Sequence, residues 1–232
     1  MRQLYELCSE DEAIRFSPFV WRARLALRHK GLDFQTVPWR FREKDRIAGS
    51  GSKTVPVLND DGRWVSDSAV IARYLDDHYP DHPLLGVDAA RGMAAFIENW
   101  VDGTLVAQIF PMIAKDIVAL LDEEDRTYFR ETREPRLGKT LEEAAAEQPE
   151  RLTAFHKSLA PMRRTLKQQT YLGGDRPAWA DYVAASPFIW ARIASPMALL
   201  DGEDIIADWL DRIMDLFDGD ARKAPRGHGQ AA

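Results

Sequence analysis

The chain has 232 residues, 45% of them hydrophobic and 29% charged, with a net charge of −6 and a single cysteine. That is ample apolar material for a soluble globular protein of one large or two modest domains. The acidic balance, without a basic stripe interleaved with aromatics, excludes a nucleic-acid binder, and Cys8 alone can form neither an intramolecular disulfide nor a cysteine-rich metal site.

Gln3 to Cys8 reads as a first strand, with no basic or apolar leader across Met1 to Glu10, so a cytoplasmic location is expected. Pro18 to Lys30 has Val20, Ala23 and Leu27 on one helical face and stops at Gly31. Asp33 to Pro38 is strand-like. Phe41 to Ile47 is charged and poorly periodic, a short helix at most, and Gly49-Ser50-Gly51-Ser52 is a connector. Val55 to Asn59 and Arg63 to Ser66 form a hairpin closed by Asp60-Asp61-Gly62, and Asp67 to His78 is a helix. These elements make an α/β domain over 1–79, and Tyr79-Pro80 through Gly86 suits a linker over 80–87. Beyond it only helices are expected, at about 88–118, 122–135, 139–169, 178–194 and 203–217, with a kink at Pro111. Phe96 to Leu121, the most apolar stretch, is interrupted by Glu98, Asp102, Lys115 and Asp116 and does not read as membrane-spanning. The all-α domain thus covers 88–217, and the Gly-, Ala- and charge-rich 218–232 reads as a disordered tail.

Two stretches carry chemistry. In Thr54-Val55-Pro56-Val57-Leu58 the proline cannot donate to a ladder and belongs at a strand edge or start, where its neighbour is open to a ligand. The second hairpin strand runs directly into a helix start at Asp67-Ser68, a place that attracts carboxylates. Together they offer a backbone edge, an acid for an amine and a helix N-terminus for a carboxylate, the last two being what an α-amino acid headgroup needs. Upstream, Phe16-Ser17-Pro18-Phe19-Val20-Trp21-Arg22 is another helix start, with Ser17 as N-cap and Pro18 in the first turn. His29, His78, His82, His156 and His228 lack ligand spacing, so no metal is expected.

With these motifs the chain resembles the glutathione transferases, in the branch with Ser-Pro at the first helix, and around Ser-Pro-Phe-Val-Trp-Arg it is similar to bacterial β-aryl etherases. The resemblance covers roughly residues 1–217 and implies a thioredoxin-like domain (β-α-β-α-β-β-α) followed by an all-helical one, with a homodimer as the assembly. It implies glutathione as co-substrate, attacking a small hydrophobic electrophile by substitution or β-ether cleavage, as in detoxification. Residue by residue, Ser68 would hold the γ-glutamyl carboxylate, Asp67 the α-amine, and the Val55 backbone the cysteinyl unit as an added strand beside a cis Val55–Pro56 bond. Lys53 or Arg40 would meet the glycine carboxylate.

Ser17 is the candidate catalytic residue, donating to the sulfur with the helix dipole behind it. Lowering a thiol pKa of about 8.5 by two units takes about 2.7 kcal/mol, and backbone groups at the same helix start are an alternative source. Trp21, Trp39, Trp100, Gln108 and Phe110 are candidates for the hydrophobic substrate pocket. Cys8, inside a strand, reads as an inert buried thiol. Pro177-Ala178-Trp179-Ala180-Asp181-Tyr182 resembles the family's capping box with Ala178 in place of Ser or Thr, a folding element rather than a site. The scaffold also suits a non-catalytic glutathione-binding or interaction module, since fold does not fix function.

Overall fold

The computed structural model describes residues 1–228. A four-stranded sheet is built from β1 (Gln3–Leu7), β2 (Gln35–Trp39), β3 (Val57–Asp60) and β4 (Arg63–Ser66) in the order β2-β1-β3-β4. β1 and β2 pair in parallel, with α1 (Pro18–His29) as the crossover, and the other pairings are antiparallel. β3 starts two residues later than the hairpin pattern suggests, just past Pro56, which has no N–H for the ladder. α2 (Ser68–His78) follows β4 with Asp67 as its cap. The fourth element of the expected order is a 3₁₀ helix, Lys44–Ser50, ended by Gly51 at φ 70°.

The second part is helical throughout. α3 (Asp88–Trp100) passes through a π turn (Val101–Val106) into α4 (Ala107–Ala119). The distortion expected at Pro111 therefore lies about a turn upstream, and Pro111 itself sits inside α4. α5 (Glu123–Leu137) is followed by α6 (Leu141–Ala146), α7 (Gln148–Ser158) and α8 (Ala160–Leu166). The single helix expected over 139–169 is thus three, because Pro149 and Pro161 fit only first turns and each opens a new helix. α9 (Trp179–Ala194) is the central helix, and α10 (Ile205–Gly219) leaves helical geometry at Leu216–Asp218. At the start of α9, Ala178 accepts no cap bond. Asp181 gathers the N–H groups of Leu172, Gly173 and Ala178 and the indole N–H of Trp209. Gly173 is required there, since a Cβ would stand 2.6 Å from that of Ala178.

The expected tail departs from disorder as far as it is described. Asp220 takes Arg24 and Arg28, Ala221 is buried, and Gly227 donates to the Ile193 carbonyl. Ion pairing to α1 supplies order that the composition of 218–232 conceals; residues 229–232 lie outside the described residues.

Buried polar pairs lock the two parts together. Arg22 on α1, almost fully buried, donates to Ser186 on α9 at 3.0 Å and to Asp102 in the π turn at 2.5 Å. Lys30 pairs with Asp76 of α2 and donates to the Tyr79 and Asp81 carbonyls. Asp76 also accepts the N–H groups of Leu84 and Leu85, each at 2.8 Å, which fastens the linker to the sheet domain. Burial works against the Asp76 charge, but those two N–H groups and Lys30 outweigh it and hold its carboxyl below the usual range.

Candidate active site

A cavity of about 700 Å³ opens between the sheet domain and the helical part. Its sheet-domain wall is made by the start of α1, the Lys53–Pro56 segment and the start of α2. Ser17 caps α1 with φ −74°, and its Oγ accepts from Val20 N–H over a long 3.4 Å. Capping uses a lone pair of that oxygen, so the hydroxyl proton is free to donate. The positive end of a twelve-residue helix stands behind it.

Across the cavity floor the Val55–Pro56 bond is cis, as the family resemblance implied, and Asp67 N–H donates to the Pro56 carbonyl at 3.3 Å. That bond joins the residue before β3 to the start of α2. Asp67 has φ 77°, a conformation an aspartate rarely adopts and one that concentrates at ligand clamps. Its Oδ1 accepts from Ala69 and Val70 at 2.8 and 3.1 Å, leaving Oδ2 without a partner among the described residues. Ser68, 3% exposed, opens α2 with its hydroxyl unpartnered by protein among the described residues.

The helical wall is aromatic. Phe110 stacks on Trp190 at 6.2 Å and an 11° interplanar angle, and contacts Phe129, which meets Phe41. Phe41 in turn lies 6.4 Å from Phe16, the neighbour of Ser17. Arg133, Arg136 and Tyr128 of α5 complete this side.

Two family models match this chain: residues 16–78 the glutathione S-transferase N-terminal domain and residues 92–217 the C-terminal domain. The chain belongs to the glutathione S-transferase family. It is similar to a probable glutathione S-transferase of Glycine max, 24% identical over 186 residues that span 78% of this chain and 71% of that protein. Glutathione S-transferase U22 of Arabidopsis thaliana is 27% identical over 187 residues, spanning 78% and 73%. A glutathione transferase structure from Phanerochaete chrysosporium superimposes with a TM-score of 0.80 at 26% identity, covering 91% of this chain and 95% of that one. A glutathione S-transferase of Ceriporiopsis subvermispora, solved in complex with glutathione, shares the fold at 22% identity with a TM-score of 0.82, covering 91% and 96%.

In this glutathione S-transferase the residues expected from sequence divide in two. Ser17, Lys53, Val55, Pro56, Asp67, Ser68, Trp39 and Phe110 line the cavity; Arg40, Trp21, Trp100 and Gln108 do not. Arg40 turns away because Asp122 and the Glu10 carbonyl hold its guanidinium, so of the two basic candidates only Lys53 faces the cavity. Trp21 is fully buried, its indole N–H on the Arg15 carbonyl and the Arg24 guanidinium over its ring. Trp100 would share a face with Ala107 in an unbroken helix, seven residues on. The π turn between them adds about one residue and rotates Trp100 by about 100°. Gln108 is one position off the Ala107, Phe110, Pro111 face that lines the cavity.

Sequence reasoning missed Phe16, Phe41, Phe129, Arg133 and Trp190. Phe16 and Phe41 flank motifs already singled out and could have been found; the α5 and α9 residues come from segments with no local signal. Cys8 is buried with its thiol on the Trp39 carbonyl, and burial pushes its pKa up, as befits an inert thiol.

Proposed function

We propose that this protein binds glutathione in the interdomain cavity, holds its sulfur as thiolate and directs it at an apolar electrophile. The observation that carries this reading is the convergence of two helix starts and the Lys53–Pro56 segment leading into β3 on one cavity with an aromatic far wall. The Ser68 hydroxyl and N–H, at the positive end of α2, receive the γ-glutamyl carboxylate, and the free Oδ2 of Asp67 faces the α-amine. Val55 pairs with the cysteinyl backbone and Lys53 meets the glycine carboxylate. The thiol proton leaves to solvent, and the sulfur is held by the Ser17 hydroxyl and the α1 dipole. The thiolate then attacks the electrophilic carbon. A carbon–sulfur bond forms as the leaving group departs with its electron pair, giving a thioether. A β-aryl ether, whose leaving group is a phenolate, is one substrate of this kind.

We also propose a homodimer through α2 and α3. Val70 is 49% exposed, and Val87, Met93 and Phe96 are 79%, 58% and 60% exposed. The Arg73–Glu98 and Arg91–Asp77 pairs join the two helices into one face with this apolar surface on it, which suits a self-complementary contact.

The reading is tested by incubating the protein with glutathione and a panel of aryl halides, β-aryl ethers and peroxides, with mass spectrometry of the products. Glutathione-dependent products support a transferase. Tight glutathione binding without any product across the panel supports a binding module instead.

A further inference from the structure

Along α5, arginines recur at 126, 130, 133 and 136, and their partners differ sharply. Arg126 donates to the Val118 and Leu121 carbonyls, and Arg130 is shared by Glu134 and Glu142. Among the described residues Arg133 meets the hydroxyls of Thr132 and Tyr128 but no carboxylate, and Arg136 has no protein acceptor; both line the cavity. The acids at the start of α5 are spent elsewhere, Asp122 on Arg40 and Glu124 and Asp125 on Arg42.

The Arg133 guanidinium sits among three rings, 5.5 Å from Phe41, 5.9 Å from Tyr128 and 5.3 Å from Phe129. Rings hold the face of a guanidinium but leave its in-plane N–H fork unsatisfied, and that fork matches a carboxylate. Burial, and after it the neighbouring Arg136, penalise this charge and lower its pKa; the Tyr128 hydroxyl offsets only part of that, and no carboxylate among the described residues does. A half-buried cation normally has a counter-ion.

We propose that Arg133, assisted by Arg136, makes the cavity selective for aromatic molecules that carry a carboxylate or similar anionic group. The inference rests on the transferase reading only in calling such a molecule the second substrate. Phe41 bridges the two ends, touching Phe16 beside Ser17 on one side and Arg133 on the other. An aromatic acid lying along this wall presents its reactive carbon toward Ser17 and its anionic group to Arg133.

The test compares binding of 1-naphthoate and its neutral isostere 1-naphthamide to the full-length protein by titration calorimetry, without need of turnover. The wild type is expected to bind the carboxylate about tenfold or more tightly than the amide, the scale of a charge-assisted hydrogen bond. Arg133→Met is expected to abolish that preference with amide affinity held within about threefold. Arg133→Lys, which keeps the charge without the fork, is expected to retain part of it. Equal affinities in the wild type, or an undiminished preference in Arg133→Met, overturn the proposal. So does a large loss of glutathione affinity in Arg133→Met without change in the naphthoate preference, which would assign this arginine to the glycine carboxylate. Loss of glutathione conjugation by the wild type with the naphthoate preference intact would instead overturn the transferase reading.

Discussion

Replacing Ser68 with alanine removes one oxygen from the headgroup site and little else. The α2 cap is Asp67 Oδ1, which stays, and alanine is the best helix former, so folding is expected to be unaffected, with Tm within about 2 °C. The N–H of residue 68 also stays. In the proposed complex what is lost is a hydroxyl donating to the γ-glutamyl carboxylate, in a position only 3% exposed, where water cannot readily replace it. A hydrogen bond to a charged group is worth about 1.5–3 kcal/mol, which corresponds to a rise in glutathione Kd of about 10- to 150-fold. Titration calorimetry of glutathione into wild type and Ser68→Ala measures it. The dipeptide Cys-Gly, which lacks the γ-glutamyl head, should bind both proteins equally. A change in glutathione Kd below about threefold, or an equal loss for the dipeptide, would refute the placement of the headgroup at Ser68.

Two further predictions concern stability. Lys30→Met leaves the Asp76 carboxylate buried with two N–H donors but no cation. Breaking a buried pair costs about 3–5 kcal/mol, and the surviving donors place this case at about 3. For a chain of this size that lowers Tm by about 6–12 °C by scanning calorimetry, and a drop under about 2 °C would contradict the linker's dependence on this pair. Glu6 on β1 is fully buried with its Oε1 unpartnered; burial raises its pKa to about 6, with Arg24 and Arg15 pulling the other way. The folded state therefore holds the proton more tightly than the unfolded chain. The stability from this group is complete below about pH 4.5 and is lost as pH rises through about 6, a swing of about 2 kcal/mol. Urea unfolding of wild type and Glu6→Gln across this window should show the wild type losing ground to the variant as pH rises, and a gain instead would reverse the assignment.

The parts of the site that the sequence disclosed are those encoded within a few residues. Ser17-Pro18 and Asp67-Ser68 are cap chemistry, and Val55-Pro56 is a strand-edge signal, so each could be placed before its surroundings were known. The far wall could not. Helical spacing says that Trp21 and Trp100 share a face with something, not which face meets the cavity, and the π turn that rotates Trp100 leaves no local mark. Arg40 is a plausible contact by sequence, but Asp122, 82 positions away, holds it, and the Phe41 ring beside the Arg133 guanidinium comes from a distant part of the chain. The order of the tail likewise depends on Arg24 reaching Asp220 across 196 positions. The break of 139–169 into three helices was legible in Pro149 and Pro161, each a first-turn residue.

An ultraviolet titration of the thiolate in the glutathione complex, run on wild type and Ser17→Ala, reaches the chemistry most directly. Ionisation of the bound sulfur at least about two units below the free value of about 8.5 is expected in the wild type, with a clear part of that shift lost in the variant. A bound thiol that titrates near its free value would contradict the account at its centre.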